Sequence, residues 1–140
     1  MARKTVVLRG TPREESGIAS GAIRPGMLVE PTSTAHYKAH DTEGAAAATI
    51  FAREQRENDG ADLDANIAAG DEVTVVFAQP GDKINAVTDD TIDKDEWVES
   101  AGNGKVQPYN SGYRIGYAAA ASDLSGTVGR VEIIIAPVGV

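Results

Sequence analysis

The chain of 140 residues contains no cysteine. That excludes disulfides, thiolate nucleophiles and cysteine-ligated metals. Aromatic residues are scarce: one Trp, two Phe and four Tyr make up 5% of the sequence. No apolar stretch approaches the roughly 20 residues that a membrane-spanning helix needs. The opening MARKTVVLRGTPREE has only a short apolar run, Val6-Val7-Leu8 with its threonine neighbour, too short for a secretory h-region. These absences set the expectation of a soluble protein, made in the cytosol, without a membrane partner. Cations are also in deficit, with 13 Lys/Arg against 21 Asp/Glu and a net charge of −8. That argues against a general nucleic-acid binder, which needs cations to displace phosphate counterions.

Glycine, by contrast, is plentiful at 15 residues, above the average of roughly 7%. Glycine-rich, aromatic-poor composition favours turns and strands over packed helices. The length suits one domain with a core of its own. Charge is uneven along the chain. Arg3, Lys4, Arg9, Arg13 and Arg24 outweigh Glu14 and Glu15, so residues 1–25 are locally +3 and the rest carries −11. Two readings fit: a basic arm that docks onto an acidic surface, or a frayed and solvated terminus.

Residues 1–26 are expected to form an extended N-terminal arm, and residues 27–140 a compact β-rich domain. Thr5–Leu8 reads as a short strand with no partner nearby in sequence, to be paired over a distance or with another chain. Further strands are expected at Met27–Glu30, ending at Pro31, within Ala45–Ala52, and at Asp71–Ala78. Lys83–Val87, Trp97-Val98, Arg114–Ala120 and Val128–Ala136 complete the set. In Asp71–Ala78, Val73, Val75 and Phe77 share one face by the period-two rule, and Val76 takes the other. Val131, Ile133 and Ile135 do the same in the last strand, opposite Ile134. Leu63–Ala68 reads as one helical turn. Asn103-Gly104 predicts a tight hairpin, because both residues tolerate positive φ. Some eight short strands with turns every 8–12 residues predict a sandwich or small barrel with at most one short helix.

The constellations that carry chemistry are incomplete. Asp62, Asp64 and Asn66 match the start of a calcium loop, but Ile67 stands where the sharp turn needs Gly, and Val73 where the loop needs Glu. His36 and His40 are four apart, as a helical zinc pair would be, yet no third ligand follows at useful spacing and Thr32–Thr34 opposes a helix. Two surface histidines in a loop are the simpler expectation. The acidic run Asp89, Asp90, Asp93, Asp95 and Glu96 reads as a solvated face, with Trp97 anchoring it to the core. Gly102-Asn103-Gly104 fails as a dinucleotide fingerprint because Gln107 replaces the third Gly. No serine sits in a nucleophile elbow. The expectation is a protein that is not an enzyme and that carries no cofactor and no metal. Tyr109, Tyr113 and Tyr117 recur every four residues. They either pack over Gly112 and Gly116, whose missing side chains leave room for a ring, or form an aromatic patch at a subunit interface.

One ordered pattern runs from residue 70 to 136. It starts at Gly70-Asp71-Glu72-Val73 and continues through Pro80-Gly81-Asp82-Lys83-Ile84-Asn85-Ala86 and Val98-Glu99-Ser100-Ala101-Gly102-Asn103-Gly104-Lys105-Val106. It then passes Ile115-Gly116-Tyr117-Ala118 and closes in Val131-Glu132-Ile133-Ile134-Ile135. This order resembles the capsid decoration, or cement, proteins of tailed bacteriophages. The resemblance implies a β-barrel or β-tulip body, a homotrimer, and an N-terminal arm lying along the capsid lattice. It implies a virion protein on the outer capsid surface, made in the host cytoplasm, with the phage major capsid protein as partner. The arm residues that would make the contact are Arg3, Lys4, Thr5, Val6, Val7, Leu8, Arg9 and Arg13, the strand Thr5–Leu8 adding to a capsid-protein sheet. Two other classes share the β style. A biotinyl- or lipoyl-like carrier would present Lys105 at a hairpin, and a small trimeric nucleotide hydrolase would bury a catalytic Asp at a subunit contact.

Overall fold

Some strands of this chain are apolar on both faces, and they organise the fold. The computed structural model describes residues 5–54, 63 and 65–138. Among these, the strands in chain order are β1 (Val7–Arg9), β2 (Arg13–Ala19), β3 (Val29–Ser33), β4 (His36–Ala39), β5 (Ile50–Ala52) and β6 (Glu72–Phe77). Then follow β7 (Lys83–Val87), β8 (Trp97–Gly102), β9 (Lys105–Pro108), β10 (Arg114–Ala118) and β11 (Arg130–Val138). No helix occurs among the described residues, so none is long and apolar enough to cross a membrane. The fold is mainly β, as expected.

The strands form two sheets. One is six-stranded with the order β1-β7-β11-β10-β8-β9, and the other five-stranded with the order β3-β4-β2-β6-β5. Both curl back on themselves. In the first, Thr88 just past β7 makes a parallel bridge to Val106 of β9, and its hydroxyl donates to the Val106 carbonyl at 2.7 Å. In the second, Leu28 bridges Phe51, with the Gly26 N–H on Ala52 and the Ala52 N–H on Met27, both at 2.9 Å. Two small barrel-like bodies result, which leaves little open strand edge to template aggregation.

Each body has its own core. Val98, Val106, Ile115, Val131, Ile133 and Ile135 of the six-stranded sheet pack with Phe51 and Val76 of the other. Ile50, Ala52, Val73 and Val75 instead face a second cluster with Val29 and Tyr37. β5 and β6 therefore form a shared wall, with successive side chains in different cores. That is why AAATIFA and VTVVFA read as nearly unbroken apolar runs. The alternation predicted for Val131, Ile133 and Ile135 holds: all three are buried, and Ile134 is half-buried on the other side.

Within the expected arm of residues 1–26, the described part differs from expectation. Residues 5–26 are woven into both bodies and are not an arm outside them. Val6 is fully buried in the main core. Its N–H donates to the Glu54 carboxylate at 2.8 Å, and its carbonyl accepts from the Asn85 N–H at 2.8 Å. β1 pairs with β7, and β2 lies between β4 and β6, running antiparallel to β6 from Arg13 to Ile18. The Thr5–Leu8 strand thus finds its partner within the chain, because burying Val6 and satisfying its backbone is more favourable than leaving both in water. Two further expectations shift. β3 runs through Pro31, which an edge strand tolerates because its absent N–H need not face a neighbour. The helical turn at Leu63–Ala68 is replaced, in its described part, by an isolated bridge from Ile67 to Ile23 that covers the second core.

Candidate functional site

Of the residues expected in the capsid-binding arm, Arg3 and Lys4 lie outside the described residues. Thr5 and Arg9 are exposed, and Val7 and Leu8 half-buried. Val6, as a core residue, is an anchor and has no surface to offer. Arg9 pairs across β1 and β7 with Lys83, whose ammonium lies 3.3 Å from Glu132. Arg13 starts β2 in the other sheet, with its guanidinium over the Phe77 ring, 4.6 Å from the centroid. Arg9 and Arg13 therefore present positive charge from two different sheets, separated by the turn at Gly10 (φ 105°).

The tyrosines do not form one stripe. Tyr117 sits opposite Trp97 across β10 and β8, ring centroids 5.6 Å apart in an edge-to-face arrangement at 69°. Tyr109 follows β9, and its N–H donates to the Trp97 carbonyl at 2.8 Å. The Arg114 guanidinium lies 4.5 Å from the Tyr109 ring centre and 5.4 Å from that of Trp97. All four side chains are half-exposed. Tyr113 stands apart, tied by its N–H to the Gly44 carbonyl at 2.9 Å. Trp97, expected to anchor the acidic run in the core, belongs to this outer face; Ile92 and Val98 are the buried anchors.

A bulge produces the cluster. The register of β10 against β11 shifts between Arg114 and Gly116, and Ile115 and Gly116 are both buried. The extra residue lies in β11, where three steps from Ile135 to Val138 face two from Gly116 to Arg114, and the local bend leaves Arg114 and Tyr117 half-exposed on either side of the buried pair. Gly116 is required for another reason than room for a ring. A Cβ there would be driven into the Ile134 carbonyl oxygen, and one at Gly112 into the backbone of Gly44. The glycines of this segment admit backbone, not tyrosine rings.

Beside the aromatic face lies a buried carboxylate. Glu99 of β8 is 3% exposed. One oxygen accepts the backbone N–H groups of Asn110, Ser111 and Gly112 at 2.9, 3.2 and 2.9 Å. The other accepts from the Gln107 amide at 2.8 Å, which also reaches Glu43 at 2.8 Å. Burial alone would push the carboxyl pKa up, but these donors outweigh it and hold the pKa below the usual carboxylate range. The loop after β9 is thus wrapped on a fixed negative charge, which positions Tyr109 against Arg114.

The sequence matches no family model and no curated protein. The fold has a counterpart. A solved structure described as the crystal structure of head fiber gp8.5 N base in bacteriophage phi29 superposes with a TM-score of 0.62. The match covers 93% of this chain and 98% of that one, at 12% sequence identity. At that identity the likeness is one of fold, extending over nearly the whole of both chains.

The remaining chemical candidates are held apart by this fold. His36 begins β4, its Nδ1 within 2.8 Å of the Thr34 carbonyl. His40 is buried, contrary to expectation, with Nδ1 2.7 Å from the Ser100 hydroxyl. Four residues of strand separate them by roughly 13 Å, beyond the reach of one metal ion. Among the described residues, no group of three or more His, Asp or Glu is placed to hold a metal. Asp62 and Asp64 of the calcium-like sequence lie outside the described residues. The hairpin turn has φ of 80°, 54° and 75° at Gly102, Asn103 and Gly104, and Lys105 follows it, bound to Asp89 at 2.6 Å. The trace of Arg114 in sequence was faint: a lone cation among three tyrosines, whose neighbours are set by cross-strand register.

Proposed function

We propose that this chain is a structural protein of a tailed-phage virion. It sits on the outside of the head, binds the major capsid protein, and braces neighbouring capsid subunits as a homotrimer. The observation that carries the proposal is the shared fold with a phage head fiber base over nearly the full length of both chains. The ordered turn pattern of residues 70–136, which resembles capsid decoration proteins, supports it from the sequence. The role is mechanical and needs no cofactor or catalytic step. Nucleic acid is not a partner of a surface with a net charge of −8. The protein is made in the host cytoplasm and ends on the virion exterior.

In this reading Arg9 and Arg13, together with Arg3 and Lys4, make the charged contacts to the capsid lattice. Thr5, Val7 and Leu8 border that surface, and Val6 fixes its base in the core. Tyr109, Tyr113 and Tyr117 belong to the subunit interface. Three copies in one trimer raise the effective concentration of each modest contact, so the assembly holds where a single copy would dissociate. The test is co-sedimentation of the purified full chain with capsid shells that lack it. Saturable binding that weakens in an R9E/R13E double variant is the expected result. Full-chain protein that stays in the supernatant at every ratio would refute the proposal.

A further inference from the structure

Arg114 has an unusual environment for a cation in an acidic protein. Its guanidinium lies against two aromatic rings, at 4.5 Å from Tyr109 and 5.4 Å from Trp97. Yet no carboxylate, carbonyl or hydroxyl among the described residues accepts a hydrogen bond from it. Two other arginines are paired: Arg53 holds Glu14 and Glu54, and Arg130 donates to the Pro25 and Leu63 carbonyls at 2.7 Å each. Guanidinium against a ring keeps its cationic attraction to the π face, while the N–H fork at its edge stays available for a planar, two-oxygen acceptor. The rings also restrain the side chain, so little rotamer freedom remains to be lost on binding. Trp, Tyr and Arg are the residue types that dominate binding energy at the centres of protein interfaces. Here all three meet on a half-exposed sheet face.

We propose that the Trp97–Arg114–Tyr109 cluster is the anchor of a contact between copies of this chain, in which Arg114 takes a carboxylate of the second copy. The argument for a second copy is charge complementarity. With 21 Asp/Glu against 13 Lys/Arg, the chain has acceptors in excess, and Asp90 and Asp93 stand exposed in the turn before Trp97. Glu99 holds the Tyr109 loop in place from beneath, and the register shift between β11 and β10 falls where Arg114 faces Val138. The contact is thereby built by features that have no other evident purpose on an outer face. This inference rests on the homo-oligomer of the proposed function and names the residue on which it turns.

The test is sedimentation equilibrium of the full chain as wild type, R114K and R114E, with thermal melting of each as a check that the fold is intact. Wild type is expected to associate, and R114K, which keeps the charge but loses the fork, to associate about tenfold more weakly. R114E is expected to remain monomeric with an unchanged melting transition at low concentration. Wild type that associates while R114E associates equally well overturns this contact and leaves the oligomer standing. Wild type that is monomeric at all concentrations up to roughly 100 µM overturns both. Co-sedimentation with capsid shells, run in parallel, separates the other occupant: R114E that loses capsid binding without any change in self-association assigns the face to the capsid and overturns the proposal.

Discussion

Glu99 carries a negative charge into the protein and surrounds it with donors, so its protonation state and the loop at 110–112 are linked. Its pKa in the folded protein lies below the ordinary value because the N–H groups and Gln107 outweigh the cost of burial. A lowered folded pKa means that the carboxylate stabilises the fold above the unfolded pKa of roughly 4.3. That stabilisation is lost as pH falls through the folded value. The Glu99→Gln variant keeps the shape but loses the charge-assisted bonds, and is expected to be about 1–3 kcal/mol less stable at pH 7. The gap between wild type and variant should narrow as pH falls below about 4. Urea midpoints of both proteins across that range measure it, and a gap independent of pH would show that the charge is not what holds the loop.

At the scale of elements, β1 belongs to the body. It fills a place beside β7, and the Val6 before it fills a place in the core. Removing residues 2–9 takes away a buried valine, worth about 1.5–3 kcal/mol, and leaves the Glu54 carboxylate without the Val6 N–H. The truncated chain is expected to lose at least about 3 kcal/mol of stability, read from its urea midpoint. A truncation that melts like wild type would mean that β1 is dispensable. The sequence made some elements plain and hid others. The faces of β6 and β11 were readable because β-branched residues alternate there with a period of two, and β7 because the Pro80-Gly81 turn marks its start. β2 (REESGIA) was not, since Arg, Glu, Ser and Gly have no strand signal of their own. Its pairing with β6, from Ile18 opposite Glu72 to Arg13 opposite Phe77, decides its conformation. The aromatic site was half legible: Tyr109 and Tyr117 stood out by spacing, whereas Trp97 and Arg114 join them through the pairing of β10 with β8 and β11, which is set by cross-strand register and not by local composition.

For the whole molecule, the shared wall of β5 and β6 removes any simple division into two units. Phe51 and Val76 serve one core, and Ile50, Ala52, Val73 and Val75 the other, so neither body can open without exposing apolar surface of its neighbour. Heat unfolding is therefore expected to be a single cooperative transition, with calorimetric and van't Hoff enthalpies equal. Two resolved transitions would mean that the wall survives the loss of one body.

The depth at which Val6, β1 and β2 are woven in has a consequence for synthesis. The ribosome releases Val6 and β2 first, but their partners β6 and β7 begin at residues 72 and 83. More than 50 residues after β2 must therefore emerge before Val6, β1 and β2 have anywhere to settle. Such long-range closure is slow and leaves strands transiently bare. The charged run Arg13, Glu14 and Glu15 at the start of β2 is well suited to that interval: charged side chains on a strand still waiting for its partner stay solvated and oppose edge-to-edge pairing with other chains.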